Sequence, residues 1–312
     1  MSAPEDRRDA AVPAASAAHE IVQLAYARIG VRQLAWWRDF AALVGFATAG
    51  DAPEGELWLR MDHARDYRLV LHTSDRPGVD ALGWELRDAA ALATLGARLR
   101  ALGASVETLP ALAQARRVEG LLRVHDPDGL ACELSWGANC ALRKPLAAAT
   151  ASSFHAGALG FGHATMAVGD AAASLRFCLD GLGLRLSDAA WMEGHSRVYF
   201  LRCNPRHHSY AFAQMPGRPP GTVHVMADVA DLDTLGEIRD RLLDAGMPIS
   251  RDLGSHPLDG VVSLYVATPE GFEFELACGT RLIDEAHWDT DKFARRGRPW
   301  GHRRPDPTKG RA

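Results

Sequence analysis

The segment RVHDPDGLACEL (Arg123 to Leu134) returns as YVATPEGFEFEL (Tyr265 to Leu276), 142 residues further along the chain. Two segments with leucines at helical spacing, stopped by Gly103 and Gly246, align at a shift of 143. A period that long, carrying a helix and several short strands, points to two copies of one strand–helix–strands unit. At 312 residues the chain gives each copy enough material for a core of its own. Each copy closes on a hairpin, because Asp-Pro-Asp-Gly and Thr-Pro-Glu-Gly are turn formers between short apolar runs. In the second hairpin Phe272, Phe274 and Leu276 alternate with Glu273 and Glu275, so one face packs on a core and the other offers carboxylates. Tyr265 and Glu275 then fall close together on paired strands, with His256 just upstream. The alternation alone would equally suit an amphipathic edge hairpin with a solvated glutamate.

Taken in order, residues 1–18 are rich in alanine, proline and charge and read as a disordered tail. A first module spans 19–142, with helices over Gly30 to Val44 and Arg87 to Leu102. A small-residue linker covers 143–156, a second module 157–290 and a C-terminal tail 291–312. Within the second module, Gly160 to Val168 and Thr222 to Val229 read as strands. Asp170 caps a helix running to Leu182, and a second helix covers Asp231 to Ala245. Arg197 to Leu201 and His208 to Ala213 read as strands joined by an Asn204-Pro205 turn. The net charge of -4 gives no reason to expect nucleic acid or an anionic membrane as partner. No apolar run approaches the ~20 residues that span a bilayer. No secretory signal is visible at the N-terminus, and the five cysteines, among them Cys140, include no Cys-x-x-Cys. The expectation is a cytoplasmic protein with reduced thiols.

The two copies differ where chemistry would sit. Glu133 stands opposite Glu275, but Arg123 replaces Tyr265, and positions near Ala25 and Ala81 stand opposite His163 and His224. Of thirteen histidines, His163, His195, His207, His208, His224 and His256 fall in the second copy at places with strand character. One strand histidine is more often a satisfied core or surface residue than a ligand. Two imidazoles and one carboxylate on separate strands, with both histidines lacking from the other copy, form the donor set of a 2-His-1-carboxylate facial triad. Such a set leaves an Fe(II) ion one positive charge and three open positions, suited to an anionic chelate and dioxygen.

With these residues in view, the chain resembles the type I extradiol ring-cleavage dioxygenases of the vicinal-oxygen-chelate superfamily. It is most similar to the two-domain, 2,3-dihydroxybiphenyl 1,2-dioxygenase-like group. The family signature is met by Gly254, His256, Leu264, Tyr265, Thr268, Pro269, Gly271 and Glu275, and its spacing after Gly271 selects Glu275 over Glu273. FLRCNPRHHSYAF (Phe200 to Phe212) resembles the segment carrying the family's acid–base histidine and selects His208 over His207. WGHRRP (Trp300 to Pro305) resembles its C-terminal end. The resemblance implies an α+β fold of two tandem modules, each a pair of βαβββ units (the glyoxalase/bleomycin-resistance/extradiol dioxygenase fold), with metal in the C-terminal module only. It implies His163, His224 and Glu275 as ligands of Fe(II), with Mn(II) as an alternative ion. It further implies His208 as catalytic acid–base residue, Tyr265 and His256 as catalytic and substrate-binding residues, and Asp259 as a substrate-side support. His207, next to His208 on the same strand, should point to the opposite face and matter far less.

The activity so implied is ring opening of a catechol, aryl- or alkyl-substituted or bicyclic, beside its diol, with both atoms of O2 entering the product. The implied partners are that catechol and O2, with the chain as a homo-oligomer. Two other classes use the same fold: a glyoxalase-like isomerase or thiol transferase, which usually places ligands on both modules or pairs two chains, and a non-catalytic ligand-binding protein, which needs no His–His–Glu set.

Overall fold

The computed structural model describes residues 19–139, 146, 153–191, 197–288 and 300–304. The tail 1–18, Cys140, His195, Pro305, and most of the 143–156 linker and the 291–312 tail lie outside them.

The first module runs β1 (Ile21–Val31), α1 (Leu34–Val44), β2 (Ala47–Thr48), β3 (Glu56–Arg60), β4 (Leu69–Thr73), then β5 (Gly78–Leu86), α2 (Ala89–Ala101), β6 (Glu107–Thr108), α3 (Pro110–Ala115), β7 (Val118–His125) and β8 (Ala131–Ala138). The second repeats the order. It runs β9 (Gly162–Ala167), α4 (Ala171–Arg176), β10 (Arg185–Trp191), β11 (Arg197–Arg202), β12 (Tyr210–Ala213), then β13 (Gly221–Asp228), α5 (Leu232–Asp244), β14 (Ile249–Ser255), β15 (Val262–Ala267) and β16 (Glu273–Cys278), with β17 (Trp300–Gly301) added at the edge. Among the described residues the sheets have the orders β2-β3-β4-β1-β5-β8-β7-β6 and β10-β11-β12-β9-β13-β16-β15-β14-β17. Each is a pair of βαβββ units joined through the antiparallel pairs β1–β5 and β9–β13.

The helices sit where their caps dictate. Asp88 accepts from the Ala91 N–H at the start of α2, and Asp231 accepts from the Thr234 N–H at the start of α5. Leu92, Leu95 and Leu99 of α2 and Leu235, Ile238 and Leu242 of α5 are buried on single faces. Two expected helices change. The one anticipated from Gly30 starts only at Leu34, because Gly30 and Val31 still pair with β4. A Cβ on Gly30 would lie 2.8 Å from the Arg76 carbonyl oxygen, an approach that only glycine permits. The helix capped by Asp170 loosens after Arg176 into one π turn, Phe177–Gly181.

One hydrophobic core runs through both modules. Trp37 and Phe40 of α1 pack their rings on Phe274 of β16 at 6.0 and 5.1 Å, and Phe46 stacks on Phe154 at 4.8 Å. The Trp37 indole N–H (3.2 Å) and the Arg32 backbone N–H (3.0 Å) both donate to Glu270, in the turn between β15 and β16. The first module thereby anchors the strand that carries Glu275. Among the described residues no helix is long and apolar enough to cross a membrane, and Cys132, Cys178, Cys203 and Cys278 are free and buried.

Candidate metal centre

Three neighbouring strands at the middle of the second sheet, β9, β13 and β16, carry His163, His224 and Glu275. Met226 of β13 sits opposite His163 on one side and Glu275 on the other, so the alternation of each strand turns these side chains to the same face. The two imidazole Nε2 atoms are 3.0 Å apart, and each lies 3.3 Å from Glu275 Oε2. Metal–ligand bonds of about 2.1 Å meeting at right angles put their donor atoms about 3.0 Å apart, so these spacings fit three adjacent corners of one octahedron. Burial pushes the His224 pKa down to about 3, so its ring is neutral and offers a lone pair. Burial alone would raise the Glu275 carboxyl, but the neighbouring His163 and His224 outweigh it and hold the group well below the usual carboxylate range. Glu275 Oε1 and His163 Nδ1 are buried without a hydrogen-bond partner. A buried carboxylate with an unpartnered oxygen beside imidazole lone pairs is short of positive charge, and a divalent cation at this point would supply it.

The other anticipated residues gather around this face. The His208 ring lies on His163 at 4.1 Å, and burial pushes its pKa well down. Tyr265 pairs with Glu275 across β15–β16, and its hydroxyl is 2.8 Å from His256 Nε2. Burial, then the Glu275 charge, raises its phenol well above the ordinary value and keeps it a hydrogen-bond donor. Asp259 is buried in the turn after His256, and its carboxylate accepts from the Val261 N–H at 3.5 Å. Glu273 faces Ser250 at 2.7 Å and pairs with Arg251, outside the cluster.

His207 is not on an opposite face. β12 begins only at Tyr210, so no strand alternation separates the two histidines. Their rings meet edge to face at 5.3 Å, with the Nδ1 atoms 3.1 Å apart. His302 was missed as a site neighbour: β17 pairs with β14 and brings its ring to 4.4 Å from His256. A Cβ on Gly254 would meet that ring at 2.5 Å, so the glycine lets the strap lie down. The tail motif marked the segment but gave no hint of this contact. Asp188 was also missed, as an acid on a half-polar strand carries no signal of its own.

The matching face of the first module is built in the same register. Tyr26 pairs with Gly83 as His163 pairs with Met226, and Arg28 with Ala81 as Thr165 with His224. The counterpart of His163 is therefore Tyr26, not the neighbouring Ala25. Arg123 pairs with Glu133 as Tyr265 does with Glu275. Here Glu133 accepts from Arg116 Nε at 2.8 Å, from Arg123 at 3.3 Å and from the Tyr26 hydroxyl. A Cβ at Gly83 would collide with the Tyr26 ring at 2.1 Å. The grouping of potential metal-binding side chains found among the described residues is that of His163, His224 and Glu275.

Residues 160–276 match the Glyoxalase/Bleomycin resistance protein/Dioxygenase superfamily, and residues 24–73 match the Dihydroxybiphenyl dioxygenase BphC D1 family. The chain is 37% identical to biphenyl-2,3-diol 1,2-dioxygenase of Paraburkholderia xenovorans, over 91% of this chain and 95% of that protein. It is 34% identical to the iron-dependent extradiol dioxygenase of Rhodococcus jostii, over 90% and 97%. The solved structure of BphC, a halotolerant catechol dioxygenase, superposes with a TM-score of 0.82 at 29% identity, covering 93% of this chain and 97% of that one. Likeness of this extent, over both modules, places the chain among the type I extradiol ring-cleavage dioxygenases of the vicinal-oxygen-chelate superfamily, oxidoreductases that open catechols with O2.

Proposed function

We propose that the second module, 157–290, holds one Fe(II) through His163, His224 and Glu275, and that the chain opens a bulky catechol of the 2,3-dihydroxybiphenyl type beside its diol. The first module, 19–142, takes no metal. The observation that carries this reading is the convergence of two imidazole nitrogens and one carboxylate oxygen within 3.3 Å of one another on three adjacent strands. Iron is preferred over Mn(II) because the Rhodococcus jostii relative is iron-dependent by name. The biphenyl-type substrate follows the naming of the Paraburkholderia xenovorans relative.

Bound iron would supply a Lewis-acidic, redox-active centre joining catechol and O2. The chain's own groups do the rest. Tyr265, held as a phenol and bonded to His256, donates to a substrate hydroxyl oxygen and orients the ring. His256, with Asp259 behind it, supports that side. His208, a buried neutral imidazole whose ring packs at a tilt against His163, accepts and returns a proton beside the reacting atoms. The carbon–carbon bond next to the diol breaks, and both oxygen atoms of O2 end in a semialdehyde or ketone acid. We further propose that the chain works in the cytoplasm as a homo-oligomer, a state that sedimentation equilibrium measures.

The test is an aerobic assay of Fe(II)-loaded protein against catechol, 3-methylcatechol and 2,3-dihydroxybiphenyl. The expected result is a yellow ring-opened product with highest kcat/KM for the biphenyl diol. Ring-opened product from none of them would overturn the proposal.

A further inference from the structure

His208 is the inner member of a buried hydrogen-bonded row. Its Nδ1 lies 3.1 Å from His207 Nδ1, and His207 Nε2 lies 3.0 Å from Asp188 Oδ2 on β10. All three side chains are buried. The row is clamped. The Trp288 ring meets His207 edge-on at 5.6 Å, and its indole N–H donates to the Ser187 carbonyl at 2.8 Å. Phe200 packs on both imidazoles, at 5.8 and 5.0 Å.

These contacts dictate where the protons lie. A carboxylate can only accept, so His207 Nε2 carries a hydrogen and donates it to Asp188. With its Nε2 hydrogen directed at Asp188, His207 offers the Nδ1 lone pair to its neighbour, and His208 donates from its own Nδ1 across the short Nδ1–Nδ1 contact. That leaves the lone pair of His208 on Nε2, its other edge, free for the substrate side. The second partner of an imidazole decides which nitrogen is the working one.

We propose that Asp188 and His207 are positioning residues that fix the orientation and the working nitrogen of His208. This deepens the function proposed above and rests on its acid–base reading of His208. Sequence distance hides the relation, since Asp188 and His207 are 19 residues apart.

The test is a double-mutant cycle on the iron-loaded enzyme. His207→Phe, the nearly isosteric Asp188→Asn, His208→Phe and the two corresponding double variants are compared for kcat, catechol KM, bound metal and thermal midpoint. Losing a partner that orients a functional imidazole typically costs about 10–100-fold, so kcat should fall by that factor in His207→Phe and in Asp188→Asn. Metal content and KM should stay within about twofold, and neither change should lower kcat further in the His208→Phe background. His207→Gln, whose amide oxygen can accept from His208, should recover part of the loss. Losses that multiply in the His208→Phe background, unchanged kcat in both single variants, or loss of metal that accounts for the whole defect would each overturn the proposal. If His208→Phe itself keeps full kcat, the acid–base reading of His208 fails instead, a result the cycle separates from failure of the row.

Discussion

Glu133 and Glu275 occupy the same step of the same hairpin, at the same depth, in two modules whose strands pair in matching register. A buried carboxylate must find positive charge or enough donors, and the two modules solve this differently. Around Glu133 the chain supplies the cations itself: Arg116 and Arg123 bond the carboxylate, and the Tyr26 phenol fills the place of a ligand. Burial alone would raise the Glu133 carboxyl, but the Arg116 hydrogen bond and charge outweigh it and hold the group below its ordinary value. Around Glu275 the chain supplies lone pairs, and the charge has to come from outside. Position in the fold therefore does not make a metal site. What distinguishes the candidate centre is imidazole at two strand positions, His163 where the first module has the Tyr26 phenol and His224 where it has Ala81, with Gly83 admitting the Tyr26 ring where the second module has Met226.

The contrast is sharpest in activity. His224→Ala should abolish turnover and remove bound iron, whereas Ala81→His, at the matching position, should create no second site because Arg116 already holds the carboxylate; metal analysis of the two proteins decides. Next in size is His208→Phe, expected to keep metal and bind catechol while kcat falls by about 10²–10⁴-fold, as read by steady-state kinetics at saturating O2.

Glu133→Gln tests the structural half of the comparison. It leaves Arg116 buried without its counter-charge and should lower stability by about 3 kcal/mol, as removing one partner of a buried pair does, while metal content and kcat per metal stay within about twofold. The sign with pH follows from the depressed folded-state pKa. The carboxylate stabilises fully above its unfolded value and the contribution fades as pH falls through the folded one. The gap in denaturant stability between wild type and Glu133→Gln should therefore be widest near neutrality and close below the ordinary glutamate value of about 4.3. A gap that widens in acid would contradict the assignment. Smallest, and equal in the two modules, should be the helix caps: Asp88→Ala and Asp231→Ala are each expected to cost about 1 kcal/mol without touching the metal, measured by thermal unfolding.

Much of this was readable in the sequence. The hairpins were legible because strand alternation and Pro/Gly turn chemistry are local. The repeat was legible because its second hairpin keeps the spacing of the first. His163 and His224 stood out because the first copy, which keeps a glutamate at Glu133 opposite Glu275, lacks both histidines. What stayed hidden depends on contacts between distant segments. A register irregularity in the β1–β5 and β9–β13 pairs shifts the alignment by a residue, so the repeat points only to the neighbourhood of Ala25 where the structure has Tyr26. The relation of His207 to His208 followed from an assumed strand that begins only at Tyr210. The anchoring of β16 by Trp37, the Arg116–Glu133 pair and the approach of His302 to His256 leave no periodic trace.

The central claim, that one module binds metal and the other has replaced it with its own cations, is tested most directly by metal stoichiometry. Wild type, Glu275→Ala and Glu133→Ala would be loaded with Fe(II) anaerobically, desalted and analysed for iron per folded chain. The account predicts one iron in wild type, none in Glu275→Ala and one in Glu133→Ala. Iron retained by Glu275→Ala, or lost from folded Glu133→Ala, would contradict it.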